Sequence, residues 1–147
     1  MNSSVLVLIY NKDGDLTLQL RSVKDDAYPL HWDFSAGGGI EEGETVEMAA
    51  KREVQEELGI SISLTEIDMF HYKDVRALDP SYVYANAKDD DAMTIFRGEY
   101  DGVFSPNPHE VQAVRLVDSS TLKVMIAAKE KFHPELYYFL TQRMLLE

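Results

Sequence analysis

The sequence contains no cysteine. That absence removes a disulfide framework, a thiolate zinc site and a cysteine nucleophile, and it suits a reducing compartment, so a cytoplasmic protein is expected. Basic residues are scarce. Fourteen Lys and Arg stand against 26 Asp and Glu, for a formal net charge of -12. Such a surface repels a nucleic-acid backbone, which excludes a broad electrostatic grip on DNA or RNA. An anionic small molecule would have to arrive with cations. Long hydrophobic runs are also missing: the apolar stretch Val5 to Tyr10 is too short for a membrane helix and lacks the basic lead of a signal peptide, so no membrane association is expected. Internal repeats, linkers and low-complexity tracts are absent too.

What is present is the composition of a globular chain, with 45% hydrophobic and 27% charged residues. Residues 1–147 are expected to form one domain, since a chain of this size hides about 70% of the surface it exposes when unfolded. Val5 to Tyr10 reads as a strand, Lys12-Asp13-Gly14-Asp15 as a turn, and Leu16, Leu18 and Leu20, alternating with Thr17 and Gln19, as a second strand. Arg21 to Leu30 is polar and ends in Tyr28-Pro29, which disfavours helix; it reads as a loop carrying Arg21 and Lys24. Trp32 to Ser35 is a short strand. Gly37-Gly38-Gly39 frees the backbone to bend sharply and to approach a ligand closely.

A helix is expected from about Glu44 or Thr45, with Thr45 as its cap, to Gly59, the usual residue for a left-handed terminus. Val46, Ala49, Ala50, Val54 and Leu58 would face the sheet. Ile60 to Tyr72 reads as one long strand with Ile60, Ile62, Leu64, Ile67 and Met69 inward and a bulge near Thr65-Glu66. Lys73 to Asp91 has no clear period and reads as a long loop, leaving a substrate lid, a dimer contact and a plain insertion all open. Met93 to Tyr100 and Val111 to Val117 are strands. Asp118-Ser119-Ser120 caps a helix to about Lys131, and Pro134 opens a last helix with Leu136, Phe139, Leu140 and Met144 on its inner stripe.

The chemistry concentrates in residues 38–60, GGIEEGETVEMAAKREVQEELGI. On a helix Glu53, Glu56 and Glu57 share one face, three and four residues apart. Like charges there repel, and a bound cation is the natural reason to tolerate them; the bland alternative is a solvated acidic face. Oxygen ligands without histidine or cysteine point to Mg2+ or Mn2+. Arg52 lies one turn before Glu56. It either forms a simple surface ion pair or ties the helix to Glu44 and fixes the ligand geometry.

Gly38, five residues, Glu44, seven residues, then Arg52-Glu53-Val54-Gln55-Glu56-Glu57-Leu58-Gly59-Ile60 resembles the signature of the Nudix hydrolases without a mismatch. The resemblance implies an α/β (α+β) fold, an α/β/α sandwich around a mixed sheet, and cleavage of a nucleoside diphosphate linked to another moiety. It also implies that Glu53, Glu56 and Glu57, with a backbone carbonyl near Gly37, bind divalent metal, and that Glu53 or a later glutamate activates water. Glu110, on a loop just before a strand, is the later carboxylate chosen; Glu99 and Asp101 compete with it. Arg21 and Lys24 are the candidate phosphate contacts. His31, His71, His109 and His133 share no metal spacing and receive no role.

The wider stretch also resembles the branch that includes isopentenyl diphosphate isomerase and its hydrolase-like relatives, through Arg21-Ser22, Pro29, Trp32-Asp33 and the glycine-rich turn. The isomerase uses a cysteine before that turn and a metal-binding histidine within it, where this chain has Ala36 and Gly38. Leu30 stands where relatives usually have glycine. The resemblance therefore implies a hydrolase of small-molecule diphosphates; the alternatives are an isomerase and a non-catalytic nucleotide-sensing module. The identity of the diphosphate is left to residues 21–30 and 73–91, and a homodimer is left open.

Overall fold

The computed structural model describes residues 3–144; the remaining five positions of the expected 1–147 domain lie outside the described residues. The sheet is built on β1 (Ser4–Tyr10). Its apolar residues follow one another without polar alternation because helices cover both faces. Val5, Val7 and Ile9 pack with Ala49, Ala50, Val54 and Leu58 on one side. Leu6, Leu8 and Tyr10 pack with Leu122, Met125, Leu136 and Leu140 on the other.

A turn with Gly14 at φ 82° leads into β2 (Leu16–Arg21). There follow β3 (Trp32–Asp33), β4 (Ala36–Gly39), α1 (Val46–Leu58), β5 (Thr65–His71), α2 (Tyr72–Leu78), β6 (Ala92–Glu99), β7 (Val111–Val117), α3 (Ser119–Ala127) and α4 (Pro134–Tyr138). The last helix continues as a wider π-type turn over Phe139–Arg143, closed by Met144 N–H donating to Phe139 O. β1 runs parallel to β6 and antiparallel to β2 and β4, so the sheet is mixed. β5 pairs with β6, and β7 with β2.

β1 meets β2 only at Ile9 and Tyr10. Beyond that pair the two strands part. β4 fills in against Ser4 to Val7 of β1, while β3 fills in against Gln19 and Leu20 of β2. This fork positions the site.

The expected helix is present with its expected ends. Thr45 Oγ1 accepts from Met48 N–H, and Gly59 stops the helix at φ 70°. Ala49 and Ala50 are small enough to let α1 lie close on the sheet.

Elsewhere the structure corrects the reading. Gly37–Gly39 does not bend sharply but runs as a strand paired to β1. Residues 60–64 carry no strand pairing, and the register shift falls between Glu66 and Asp68. A one-residue slip exchanges the faces of a strand. Phe70 is therefore buried, while Ile67 and Met69 are exposed. The segment expected as a loop opens with α2, and its Val75 and Tyr82 belong to the core. α3 stops at Ala127, four residues short. The chain must leave the helix there because Lys131 O accepts from Trp32 N–H, and His133 N–H donates to Trp32 O, tying this stretch to β3. Thr17 and Gln19, which alternate with the leucines of β2, are buried as well, because that face of the strand is covered too. Among the described residues no helix is long and apolar enough to cross a membrane.

Candidate functional site

An open cleft of ≈ 680 Å3 lies in the fork between β1 and β2. Leu6, Gln19, Asp33, Gly37–Gly39, Glu53, Glu57 and Glu110 line it. Tyr82, Tyr84, His133 and Glu135 line it as well.

Glu57 is 6% exposed although it is a carboxylic acid. Gln19 Nε2 donates to its Oε1 at 2.8 Å while also donating to Ser35 O at 3.0 Å, which holds the amide in place. Gly37 N–H points at Glu57 Oε2 from 3.4 Å. Burial, with the Glu53 carboxyl hydrogen-bonded alongside, pushes Glu57 up to about 10. A buried acid beside another acid holds its proton unless a cation replaces it.

Glu53 lies on the glycine strand. A Cβ at position 38 would stand 2.5 Å from the Glu53 carboxylate, so Gly38 is the residue that gives this side chain its place. A histidine at 38 would need the same space.

Arg52 links the motif. Its Nε and Nη2 donate to the two oxygens of Glu44 at 2.8 and 3.0 Å, a bidentate pair. Nη2 also donates to Gly39 O at 2.9 Å, and Nη1 reaches Glu53 at 2.8 Å and Glu56 at 3.2 Å. Of the two readings open from sequence, the tie to Glu44 is therefore realised, and the surface pair with Glu56 is present as its minor part. Glu44 Oε1 also accepts from Glu41 N–H, which closes the loop before α1.

Glu110 comes to the cleft through the far end of the same helix. Ser105 N–H donates to Leu58 O and Asn107 N–H to Glu57 O, both at 2.9 Å. A Cβ at Gly59 would fall 2.9 Å from Ser105 O, so the left-handed glycine also makes room for this loop. Partial burial, then the negative charges of Glu53, Glu56 and Asp25, raises the Glu110 carboxyl above its ordinary range. The competing Asp101 accepts from Lys12 N–H instead, and neither it nor Glu99 lines the cleft.

The structure thus gathers Glu53, Glu57, Gly37, Gly38 and Glu110 around one cleft, with Arg52 and Glu44 behind them. Glu56 is turned to Arg52 and half exposed. Among the described residues no three acidic or imidazole side chains already converge as a cage. The donor set nonetheless fits a hard divalent ion: it offers only oxygens, and Glu53 beside the buried Glu57 brings negative charge that a cation would neutralise. Arg21 lines the cleft, but its Nη1 is on Asp33 at 2.9 Å, while Nε and Nη2 donate to Ala27 O. Lys24 is exposed and lies outside the cleft lining.

Sequence reasoning missed Gln19, Tyr82, Tyr84, His133 and Glu135. Gln19 carried a signal, a lone amide among leucines in a strand. The others carried none: Tyr82 and Tyr84 lie in a segment without a period, and His133 and Glu135 fall outside the apolar stripe of the last helix.

A mixed sheet between helices, with an acidic helix laid over a glycine strand, is the architecture of a Nudix-type domain. The NUDIX domain model matches residues 2–141. The chain is 32% identical over 139 residues to an uncharacterized Nudix hydrolase of Listeria innocua, covering 94% of this chain and 74% of that one. It is 32% identical over 123 residues to an isopentenyl-diphosphate Delta-isomerase of Nocardia farcinica, covering 84% and 67%. A 49% identical match to an uncharacterized Nudix hydrolase of Listeria monocytogenes spans 59 residues, 40% of this chain and 35% of the relative. Among solved structures, a protein from Deinococcus radiodurans superimposes with a TM-score of 0.77 at 24% identity, covering 96% of this chain and 82% of its own. The dihydroneopterin triphosphate pyrophosphohydrolase of E. coli does so with 0.62 at 23%, covering 94% and 92%; both likenesses are of fold. The chain belongs to the Nudix hydrolase family, and it is an enzyme of that class.

Proposed function

We propose that the protein hydrolyses the phosphoanhydride bond of a small organic diphosphate, a nucleoside diphosphate derivative or a related compound, by attack of water on phosphorus in the presence of Mg2+ or Mn2+. The observation that carries this reading is the placement of Glu53 and the buried Glu57 against the Gly37–Gly38 strand, with Glu110 lining the same cleft. Glu53, Glu56, Glu57 and the Gly37 carbonyl would hold the ion; Glu56 would leave Arg52 to do so. When bound, the ion supplies charge neutralisation at the phosphates. Glu110, raised in pKa and lining the cleft, is suited to accept a proton from water. Glu53 is the other candidate base. Arg52 is a positioning residue, since every contact it makes is to the carboxylates and backbone of the motif.

The test is a panel of diphosphates incubated with Mg2+ or Mn2+ and followed by phosphate or monophosphate release. Turnover should vanish with chelator and fall about a hundredfold or more in Glu57→Gln. Glu110→Gln should lower kcat and flatten the acid limb of its pH profile. Turnover of Glu57→Gln equal to wild type on an identified substrate would sink the reading. The isomerase named among the relatives supplies a second reading. The chain has Ala36 and Gly38 where that enzyme is expected to carry its cysteine and histidine, and product analysis with isopentenyl diphosphate separates rearrangement from phosphate release.

A further inference from the structure

The fork between β1 and β2 is fastened where it opens by a side chain that the hydrolytic chemistry does not use. Ile9–Thr17 is the last pair of the ladder before the two strands part. Ser35, which has no exposed surface, accepts from Ile9 N–H at 2.8 Å and donates through the same Oγ to Thr17 O at 2.5 Å. One hydroxyl thus ties both strands to the segment between β3 and β4. The Ser35 carbonyl becomes a fixed point between them.

Gln19 uses that point. It is 7% exposed and stands opposite Val114 in the β2–β7 pairing. A buried amide costs free energy unless its hydrogen bonds are made, whereas an apolar side chain would fill the same position without that cost. Ser35 O can only accept, so the amide atom 3.0 Å from it is Nε2, and the orientation of the amide follows. The second N–H of the same nitrogen donates to Glu57 Oε1 at 2.8 Å. Turning the amide over would lose both bonds and set its oxygen against two acceptors. Glu57 therefore faces a donor that cannot rotate away. Its other oxygen is held less firmly: Gly37 N–H points at Oε2 from 3.4 Å, at the limit of a hydrogen bond. The backbone of Glu57 is fixed as well, since its carbonyl accepts from Asn107 N–H at 2.9 Å.

We infer that Gln19 is a positioning residue for this site: anchored on the Ser35 carbonyl, its amide fixes Oε1 of Glu57 and leaves Oε2 as the oxygen that meets a divalent cation. The inference rests on the hydrolase reading for the cation itself. A ligand oriented before the ion arrives loses less freedom on binding it, so the amide acts on metal affinity. An amide that only completed the core would change stability and leave the metal affinity of the folded molecule as it was.

The test measures Mn2+ binding to the full chain without substrate, by the loss of the free-ion signal in electron paramagnetic resonance. Gln19→Met keeps a long unbranched side chain and removes the donor. Its folded form should bind Mn2+ about 10–100-fold more weakly than wild type, the usual effect of losing a partner of a metal ligand. The same substitution is then made in Glu57→Asp, whose carboxylate is one methylene short of Gln19. There it should cost less than about twofold, because the contact is already gone. Unfolding transitions check every variant. Should Gln19→Met not fold, Gln19→Asn, whose amide is too short to span Ser35 O and Glu57, carries the same comparison. Unchanged affinity in the Gln19 variant, or an equal loss in both backgrounds, overturns the positioning role and leaves the hydrolase reading standing. Mn2+ affinity that is the same in Glu57→Gln as in wild type, or no Mn2+ binding at millimolar concentration, overturns the metal placement of the hydrolase reading and this inference with it.

Discussion

The carboxylate of Glu53 occupies the space in which a Cβ at Gly38 would stand, 2.5 Å from its oxygens. The obstacle is the mobile end of a side chain, so Gly38→Ala can be accommodated by swinging Glu53 out of the cleft. The fold should survive, with an unfolding midpoint close to wild type, while turnover falls about 10–100-fold, the usual range for displaced ligand groups. Paired thermal melts and kinetics check this; a large loss of stability with full activity per folded molecule would contradict it.

Glu57 links the site to pH. Its folded pKa is raised above the unfolded value, so between about 4.5 and about 10 the native state without metal holds a proton that the unfolded chain gives up. Stability in chelator should therefore fall as pH rises through that window. Glu57→Gln should remove this dependence and make the metal-free protein more stable at pH 8 than wild type. Melting temperatures against pH, in chelator, measure it. Since a metal needs the carboxylate, metal affinity of the wild type should rise with pH over the same range.

Arg52→Lys keeps the charge and loses the bidentate pair to Glu44 and the bond to Gly39 O. Activity is expected to drop about 10–100-fold, with a higher metal requirement, because the carboxylates lose their orientation. Metal titrations of initial rate, compared with Glu44→Gln, should show the same shift in both variants, since one contact is removed from either side.

Leu30 has φ 56°, in the left-handed region where a side chain is strained, and it is 42% exposed. Leu30→Gly relieves that strain and sacrifices little buried surface. The gain should be up to about 1 kcal/mol, after the entropy of the added glycine is subtracted. A urea unfolding midpoint above wild type is the expected readout.

Asp68 is held below the ordinary carboxylate range, first by its hydrogen bond to Arg143, which also donates to Met69 O. This contribution is present above the unfolded pKa of Asp68 and is lost as pH falls through its lower folded value. Arg143→Ala should flatten that acidic part of the stability profile, as seen in melts between pH 2 and about 5.

Residues 38–60 were legible without coordinates because their constraints are local. A helix with carboxylates at positions 53, 56 and 57, a threonine cap at 45 and a left-handed glycine at 59 follow from spacings within one element. The two faces of β1 were half legible: its unbroken apolar run marked a strand, and only the packing of α1 and α4 on opposite sides explained the lack of alternation. Other features depended on partners distant in the chain. Ile67 and Met69 turned outward because a bulge moved by a residue, which depends on pairing with β6. Arg21 was drawn to Asp33 by a strand pair that spacing cannot reveal. Glu110 reached the cleft because Asn107 bonds the end of α1, a contact between residues 50 positions apart.

The amino-acid sequence by itself determined the helix of residues 46–58, its acidic face and the family, because those rest on residue identities at fixed helical spacings. Only the tertiary structure decided which carboxylate is buried, why a side chain at position 38 would displace Glu53, and that Tyr84, His133 and Glu135 line the same cleft. These depend on where the strands of the sheet part, a property of pairing and packing between segments that no local spacing encodes.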